Sequence, residues 1–263
     1  MNHKVNNQGL LTFGEHLEVF RKLLLRVLGV TVCIAIIVFY FKDETFEILL
    51  APSESDFVTY RLIECIMKLI VIDFHFDSFY VNLIATDLSS QFMAHITTSA
   101  YLGLLGASPY ILHELFRFVS PALYDNEKKY SVRILVVVYS LFMFGVLMSY
   151  YVLFPFSFRF FGTYVVSEKI QNTINIDSYI STFVTLTLLM ACVFQLPVVT
   201  YVLGKMGIVN AKLMSNYRKH AFIVIMFVAA VITPPDIMTL IVVTIPLYML
   251  YEISIRIVRC VEK

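Results

Sequence analysis

The chain has 263 residues, 59% of them hydrophobic and only 15% charged, with 20 lysines and arginines against 19 acids and a mean hydropathy of +0.80. A soluble domain of this length needs more polar surface, so a water-soluble enzyme or binding module is excluded. Several apolar runs reach the roughly 18–20 residues that cross about 30 Å of hydrocarbon as helix, which specifies an all-α membrane protein with several spans.

The amino-terminal stretch MNHKVNNQGLLTFGEHLE is polar and carries acids, so it reads as neither a cleavable signal peptide nor an arginine-rich presequence. The first apolar run, Leu23–Phe41, therefore stays in the mature protein, with Arg26 one turn inside its start. Lys42–Leu88 follows, a polar section with nine acids against three bases, broken by Pro52 and Ser53; Tyr60–Ile72 within it has the spacing of a short amphipathic helix. The second span is Ser90–Leu112, rich in Thr, Ser, Gly and Ala, the small residues that let helices approach closely in lipid, with Pro109 near its end.

His113–Arg133 is a polar stretch of mixed charge, with FVSPALYDNEKK at its centre. The third span, Ile134–Phe154, is ended by Pro155, and Phe156–Ser178 forms a second polar connection. The fourth, Tyr179–Leu203, is interrupted by Gln195 and Pro197, and a short basic loop, 204–219, follows it. The last two spans, Ala221–Ile232 and Ile237–Ile255, are joined only by Thr233-Pro234-Pro235-Asp236. The 12 residues of the fifth span rise roughly 18 Å, so either the bilayer thins beside it or the TPPD turn is sheltered below the surface by protein. The expectation is one domain over 1–263: six transmembrane helices in a concave bundle, with short fifth and sixth spans.

Placing both termini, the 113–133 loop and the 204–219 loop on one side, with Arg26 at the membrane edge, gathers 15 of the 20 bases there. The positive-inside rule makes that side the inner one, giving an N-in/C-in topology. Four scattered cysteines, Cys33, Cys65, Cys192 and Cys260, have no CxxC spacing, so no disulfide framework or zinc site is suggested; three lie in or beside apolar runs, where a cysteine is usually a small buried hydrophobe.

Haem in a bundle needs facing axial ligands, and of six histidines only His95 falls inside a span. An intramembrane hydrolase needs a nucleophile with its base or two close carboxylates, yet Asp236 and Glu252 lie toward opposite ends of one helix. No catalytic residue, metal or cofactor is expected, nor a nucleic-acid partner. An ion- or proton-coupled transporter or channel subunit is the alternative function; it predicts inverted repeats and midplane charges, whereas the deepest polar group here is the uncharged Gln195. A binding scaffold fits better. Glu15, Glu18, Arg21 and Lys22 gather at the inner end of span one, and Phe118, Tyr124, Glu127, Lys128 and Lys129 in the first inner loop. A carboxylate such as Glu127 can accept a bidentate pair from a guanidinium, and charges of this kind also anchor helix ends at headgroups.

At these residues the chain resembles the TatC family, the large polytopic subunit of the twin-arginine protein translocase. EHLEVFRKLLL (15–25), LLAPS (49–53), LIATDLSSQF (83–92), FRFVSPALYDNEKK (116–129), Phe154-Pro155, Leu196-Pro197-Val198 and ITPPDIMTLIVVTIPLYMLYEISI (232–255) occur in the family's order. The resemblance implies no enzyme but a receptor for the signal peptides of folded cargo. The receptor would assemble with itself and with small single-span TatA/TatB-like subunits in lipid, and would be driven by the proton-motive force. It also implies that two acids hold the twin arginines. Glu127 matches the loop acid, with Phe118, Pro121 and Tyr124 beside it; Arg21 matches the amino-terminal arginine and Asp236 the acid of the outer turn. The second acid falls on Val19. Glu15 lies one turn earlier on the same helix face and is the better substitute by geometry; Glu18 is nearer in sequence but rotated by roughly 100°. The family's intramembrane acid falls on Gln195, and Gln195, Pro197, Asp236 and Glu252 are assigned to intramembrane and assembly roles. These departures, with 23 phenylalanines and no tryptophan, suggest a member in the mitochondrial inner membrane with a Rieske iron–sulfur protein among its substrates, the bacterial plasma membrane being the alternative.

Overall fold

A computed structural model describes residues 13–70, 81–119, 131–165, 167, 172–233 and 237–262. The chain partitions into two compact units, residues 1–41 with 99–139 and residues 42–98 with 140–263.

The first unit is built on α1, Phe13–Tyr40, and on α4, Ser90–Val119, from Ser99 onward. Helix α1 begins ten residues before the predicted span because the polar segment 13–22 keeps helical spacing into the apolar run. Its crossing with α4 is set by small residues. A Cβ on Gly103 would lie 2.6 Å from Ala35 Cβ, and one on Gly106 would lie 3.0 Å from Ile34 Cγ2. Van der Waals contact of this closeness replaces the hydrophobic drive that lipid does not supply. Pro109 sits inside α4 and does not end it.

The second unit begins with the polar section after α1: α2 (Lys42–Leu50), a 3₁₀ turn over Ala51–Ser53, and α3 (Val58–Ile70), the expected amphipathic helix. A feature absent from the all-helical expectation follows: β1 (Asn82–Ile84) pairs in parallel with β2 (Thr173–Asn175) and joins the two polar connections. The third span also departs from expectation. Helix α5, Ser131–Met148, continues through a π-helical stretch, Ser149–Leu153, into α6, Phe154–Thr163, so Pro155 does not end it. Pro155 lacks the N–H that would reach the carbonyl of Tyr151. The hydroxyl of Thr59 on α3 donates to that carbonyl instead, and Tyr60 Oη donates to the carbonyl of Pro155 at 2.8 Å. Burial pushes the Tyr60 phenol above its ordinary value, with the Arg159 guanidinium, 5.3 Å from its ring, acting in the opposite direction.

The fourth span comprises α7, Ile176–Val193, and α8, Leu196–Lys205, broken as predicted at Phe194-Gln195 with Pro197 in the first turn of α8. Gly145 on α5 packs at backbone distance on α7: a Cβ there would lie 2.8 Å from Met190 O. Ser149 and Thr187 join the same spans through hydroxyls 3.1 Å apart. Because Thr187 donates to the Phe183 carbonyl, Ser149 is the donor between them. Gly207, at φ +71°, turns the chain towards α9, Ala211–Asn216. Helix α10, Arg218–Ile232, covers the predicted fifth span with 15 residues, a rise of roughly 22 Å that is less than the hydrocarbon thickness. The segment expected to be a short sixth span is longer: α11, Ile237–Val261, runs 25 residues, because helical spacing persists through Arg256-Ile257-Val258-Arg259. The core joins Leu153, Met190, Phe194, Ile225, Ala229, Val243, Leu247 and Leu250.

Among the described residues four helices are long and apolar enough to cross a membrane: Leu17–Tyr40, Ile134–Thr163, Ile176–Lys205 and Thr239–Val261. Helix α4 has the length, but His95, Thr97, Thr98, Ser99 and Ser108 dilute its apolar character. All four cysteines are free and exposed, contrary to the expectation that three are buried; Cys33, Cys192 and Cys260 lie on helices apolar enough to cross a membrane, where an exposed apolar side chain can face lipid.

Candidate functional site

Two of the segments singled out by sequence meet in the first unit. On α1, Val19, Lys22, Leu23 and Arg26 follow i, i+3, i+4, i+7 spacing and share a face; on α4, Glu114, Arg117 and Phe118 do the same one turn from its end. These seven residues line a cleft of about 260 Å³. Leu23 is buried in its floor, and Phe118 packs on Phe20 with ring centroids 5.8 Å apart.

The cleft's carboxylate is Glu114, only 6% exposed. Arg26 Nη1 lies 3.5 Å from Glu114 Oε2, and Tyr110 Oη donates to Oε1 at 3.3 Å. Charge-assisted bonds of this kind usually close to about 2.7–2.9 Å, so Arg26, itself half exposed, is a loose partner. Two long contacts leave acceptor capacity on a carboxylate that is already stripped of water. The chemistry this permits is recognition of a cationic hydrogen-bond donor beside an aromatic ring. Sequence reasoning missed Glu114. Its signal was an acid three residues before Arg117 near the end of α4, facing the one arginine inside the first predicted span.

Val19 lines the cleft, so no acid enters from that position. Glu18 is on a different face, exposed and paired with Lys22 at 2.8 Å. Arg21 is exposed and outside the lining. Glu15 lies in the helical backbone of α1, one turn before Val19, with its side chain outside the described residues. Pro121, Tyr124, Glu127 and Asp236 also lie outside them.

The remaining predicted positions are in the second unit. Gln195 is half-buried at the α7–α8 break, where its carbonyl accepts from Val198 N at 2.9 Å and Val199 N at 3.0 Å, and Pro197 is buried beside it. Glu252 on α11 is engaged within the chain: Arg218 Nη2 donates to its Oε2 at 3.0 Å, Arg218 Nε lies 2.8 Å from its Oε1, and Tyr248 Oη donates to Oε1 at 3.3 Å. That ion pair, with one hydrogen bond from Nη2, ties the start of α10 to α11.

The apolar helices define a multi-pass membrane protein whose polar cleft lies near helix ends and not at mid-depth. Residues 15–246 match the family described as Sec-independent protein translocase protein (TatC). The chain is 35% identical over 262 residues to the Sec-independent protein translocase protein TatC of Blattabacterium sp. subsp. Periplaneta americana (strain BPLAN), covering 98% of each chain. It is 31% identical over 243 residues to the protein of the same name from Aquifex aeolicus (strain VF5), covering 92% of each. Two crystal structures of the twin-arginine translocase receptor TatC superpose on it. One gives a TM-score of 0.71 at 29% identity, covering 95% of this chain and 100% of that one; the other, in DDM, gives 0.72 at 30%, covering 92% and 98%. The chain belongs to the TatC family, which is a translocase component and not an enzyme family.

Proposed function

We propose that this chain is the signal-peptide receptor and core subunit of a translocase that uses the proton-motive force to move folded proteins across an energy-transducing membrane. The observation that carries the reading is the cleft: two segments 88 residues apart at Arg26 and Glu114, each chosen on sequence grounds, line one cavity with Phe118 at its edge. A basic signal segment brings guanidinium groups to carboxylates there, and its apolar part lies along neighbouring apolar helices. With Val19 unable to accept, Glu114 supplies the carboxylate of the cleft wall, and Glu127, a few residues beyond α4 in sequence, supplies the second, with Pro121 and Tyr124 in the same motif acting beside it. Glu15 is the reserve acid on α1, because Glu18 is held by Lys22.

The topology of this reading has six spans with both termini inside, α4 and α10 being the second and fifth, and a single domain over 1–263. The count of 15 bases on one side supports it. Small single-span TatA/TatB-like subunits and further copies of the chain are its partners, with Gln195, Pro197 and Asp236 on assembly surfaces. The end-to-end match to a bacterial relative supports the bacterial plasma membrane over the mitochondrial inner membrane, and with it removes the special reason to single out a Rieske protein as cargo. Signal-peptide crosslinking tests the receptor role: Glu127→Ala loses crosslinks that wild type gives, and more of them than Glu15→Ala loses. Equal crosslinking of wild type and Glu127→Ala overturns it.

A further inference from the structure

A second groove lies between α8 and α11 in the other unit. Gly204 packs against Val258, where an added Cβ would meet Val258 Cγ1 at 3.3 Å, and beside this close crossing opens a cavity of about 620 Å³. Tyr201 and Lys205 line it from α8; Ile253, Arg256, Ile257, Cys260 and Val261 line it from α11.

Its chemistry is ordered along the helices. Tyr201 and Ile253 come first in the two chain directions, and the cations Lys205 and Arg256 follow three or four residues later, towards the end that the charge count assigns to the inner face. The Lys205 ammonium sits 6.0 Å from the Tyr201 ring centroid. Arg256 is exposed and has no acidic partner among the described residues. The nearest acids in sequence are engaged on other elements: Glu252 holds Arg218, and Glu262 Oε1 accepts from Ala211 N at 2.7 Å. The described lining therefore holds two cations, no acid and an apolar wall.

We infer that this groove binds a phospholipid with an anionic headgroup, its phosphate between Lys205 and Arg256 and an acyl chain along Tyr201 and Ile253. Basic pockets between spans at the inner face suit such headgroups, and the long basic side chains reach the phosphate while their stems cover apolar surface. A free phosphate would leave the apolar wall unused, so the lipid is the occupant. The site is independent of the cleft formed by α1 and α4.

Cys260, exposed and in the lining, is a built-in reporter. The full-length protein is placed in bilayers of phosphatidylcholine alone or with phosphatidylglycerol, and maleimide modification of Cys260 is followed by peptide mass. Phosphatidylglycerol slows the reaction roughly tenfold, the order of preference that two cations near an anionic surface supply. Lys205→Gln/Arg256→Gln abolishes the protection in the same bilayers, Lys205→Arg/Arg256→Lys keeps it, and inorganic phosphate added to phosphatidylcholine bilayers gives none. Equal rates in the two bilayers, protection that survives the double glutamine variant, or protection by inorganic phosphate alone each overturns the assignment.

Discussion

Gly103→Ala places one methyl group at the closest approach of α1 and α4. Its Cβ would stand 2.6 Å from Ala35 Cβ and 2.8 Å from both Ala35 Cα and N. Carbon atoms in ordinary contact are about 3.5–4.0 Å apart, so the two helices must separate by roughly 1 Å, because backbone cannot rotate away as a side-chain tip can. Overpacking of this kind costs about 1–3 kcal/mol, offset by up to about 1 kcal/mol from better helix propensity. A net loss of about 1–2 kcal/mol is expected, a fall of roughly 2–8 °C in melting temperature for a chain of this size. Gly106→Ala is the control in the same helix. There the obstacle is a single methyl, Ile34 Cγ2 at 3.0 Å, with no backbone atom of α1 within 4 Å, so the neighbour gives by a few tenths of an ångström and the loss is expected to stay below about 1 kcal/mol. The assay is loss of helical ellipticity on heating the detergent-solubilised protein. Gly103→Ala melting at or above wild type refutes the small-residue account of this crossing, and Gly106→Ala losing as much refutes Gly103 as its point of closest approach. Because the same helices end in the cleft, Gly103→Ala also weakens signal-peptide binding while Gly106→Ala does not.

Glu114→Gln keeps the shape of the cleft and removes its charge. Its partner Arg26 is half exposed, so stability falls by no more than about 1 kcal/mol, while retention of a twin-arginine peptide on the immobilised protein drops about tenfold. Undiminished retention would exclude Glu114 from recognition. Thr59→Val orphans the Tyr151 carbonyl and lowers stability by about 1–3 kcal/mol, read as a lower melting temperature, whereas Thr59→Ser retains the bond and stays near wild type. Glu252→Ala breaks the Arg218 pair and costs about 1–2 kcal/mol, with faster proteolysis at the α9–α10 junction, while signal-peptide binding is unchanged.

The four strongly apolar helices were legible because lipid imposes long apolar runs, and the break at Gln195-Leu196-Pro197 because a proline two residues past a polar side chain removes a helical donor. Pro155 misled for a non-local reason. A proline ends a helix when the carbonyl it strands has no other donor, and here the donor is Thr59, 92 residues away in another connection. Nothing near 155 in sequence announces it. The β1–β2 pair was hidden likewise, since three-residue strands carry almost no periodicity and their partner lies in a different loop.

The same distinction between local and distant causes governs the cleft. Its α1 wall could be read from spacing, and Phe118 from a motif, but the acid that matters inside the described cavity had to be found by geometry. Glu114 is nearly buried towards the end of α4, where an unpaired carboxylate is costly, and it persists because Arg26 reaches it from α1. Such a pair adds little stability with one member half in water. What it does supply is a carboxylate held nearly dry and bound to a guanidinium at 3.5 Å, so a better-placed guanidinium can take over without burying any new charge. Arg26→Gln therefore separates the two roles. If the pair only braces α1 on α4, the variant binds signal peptide less well; if Arg26 occupies a seat meant for cargo, it binds more tightly although it melts no higher.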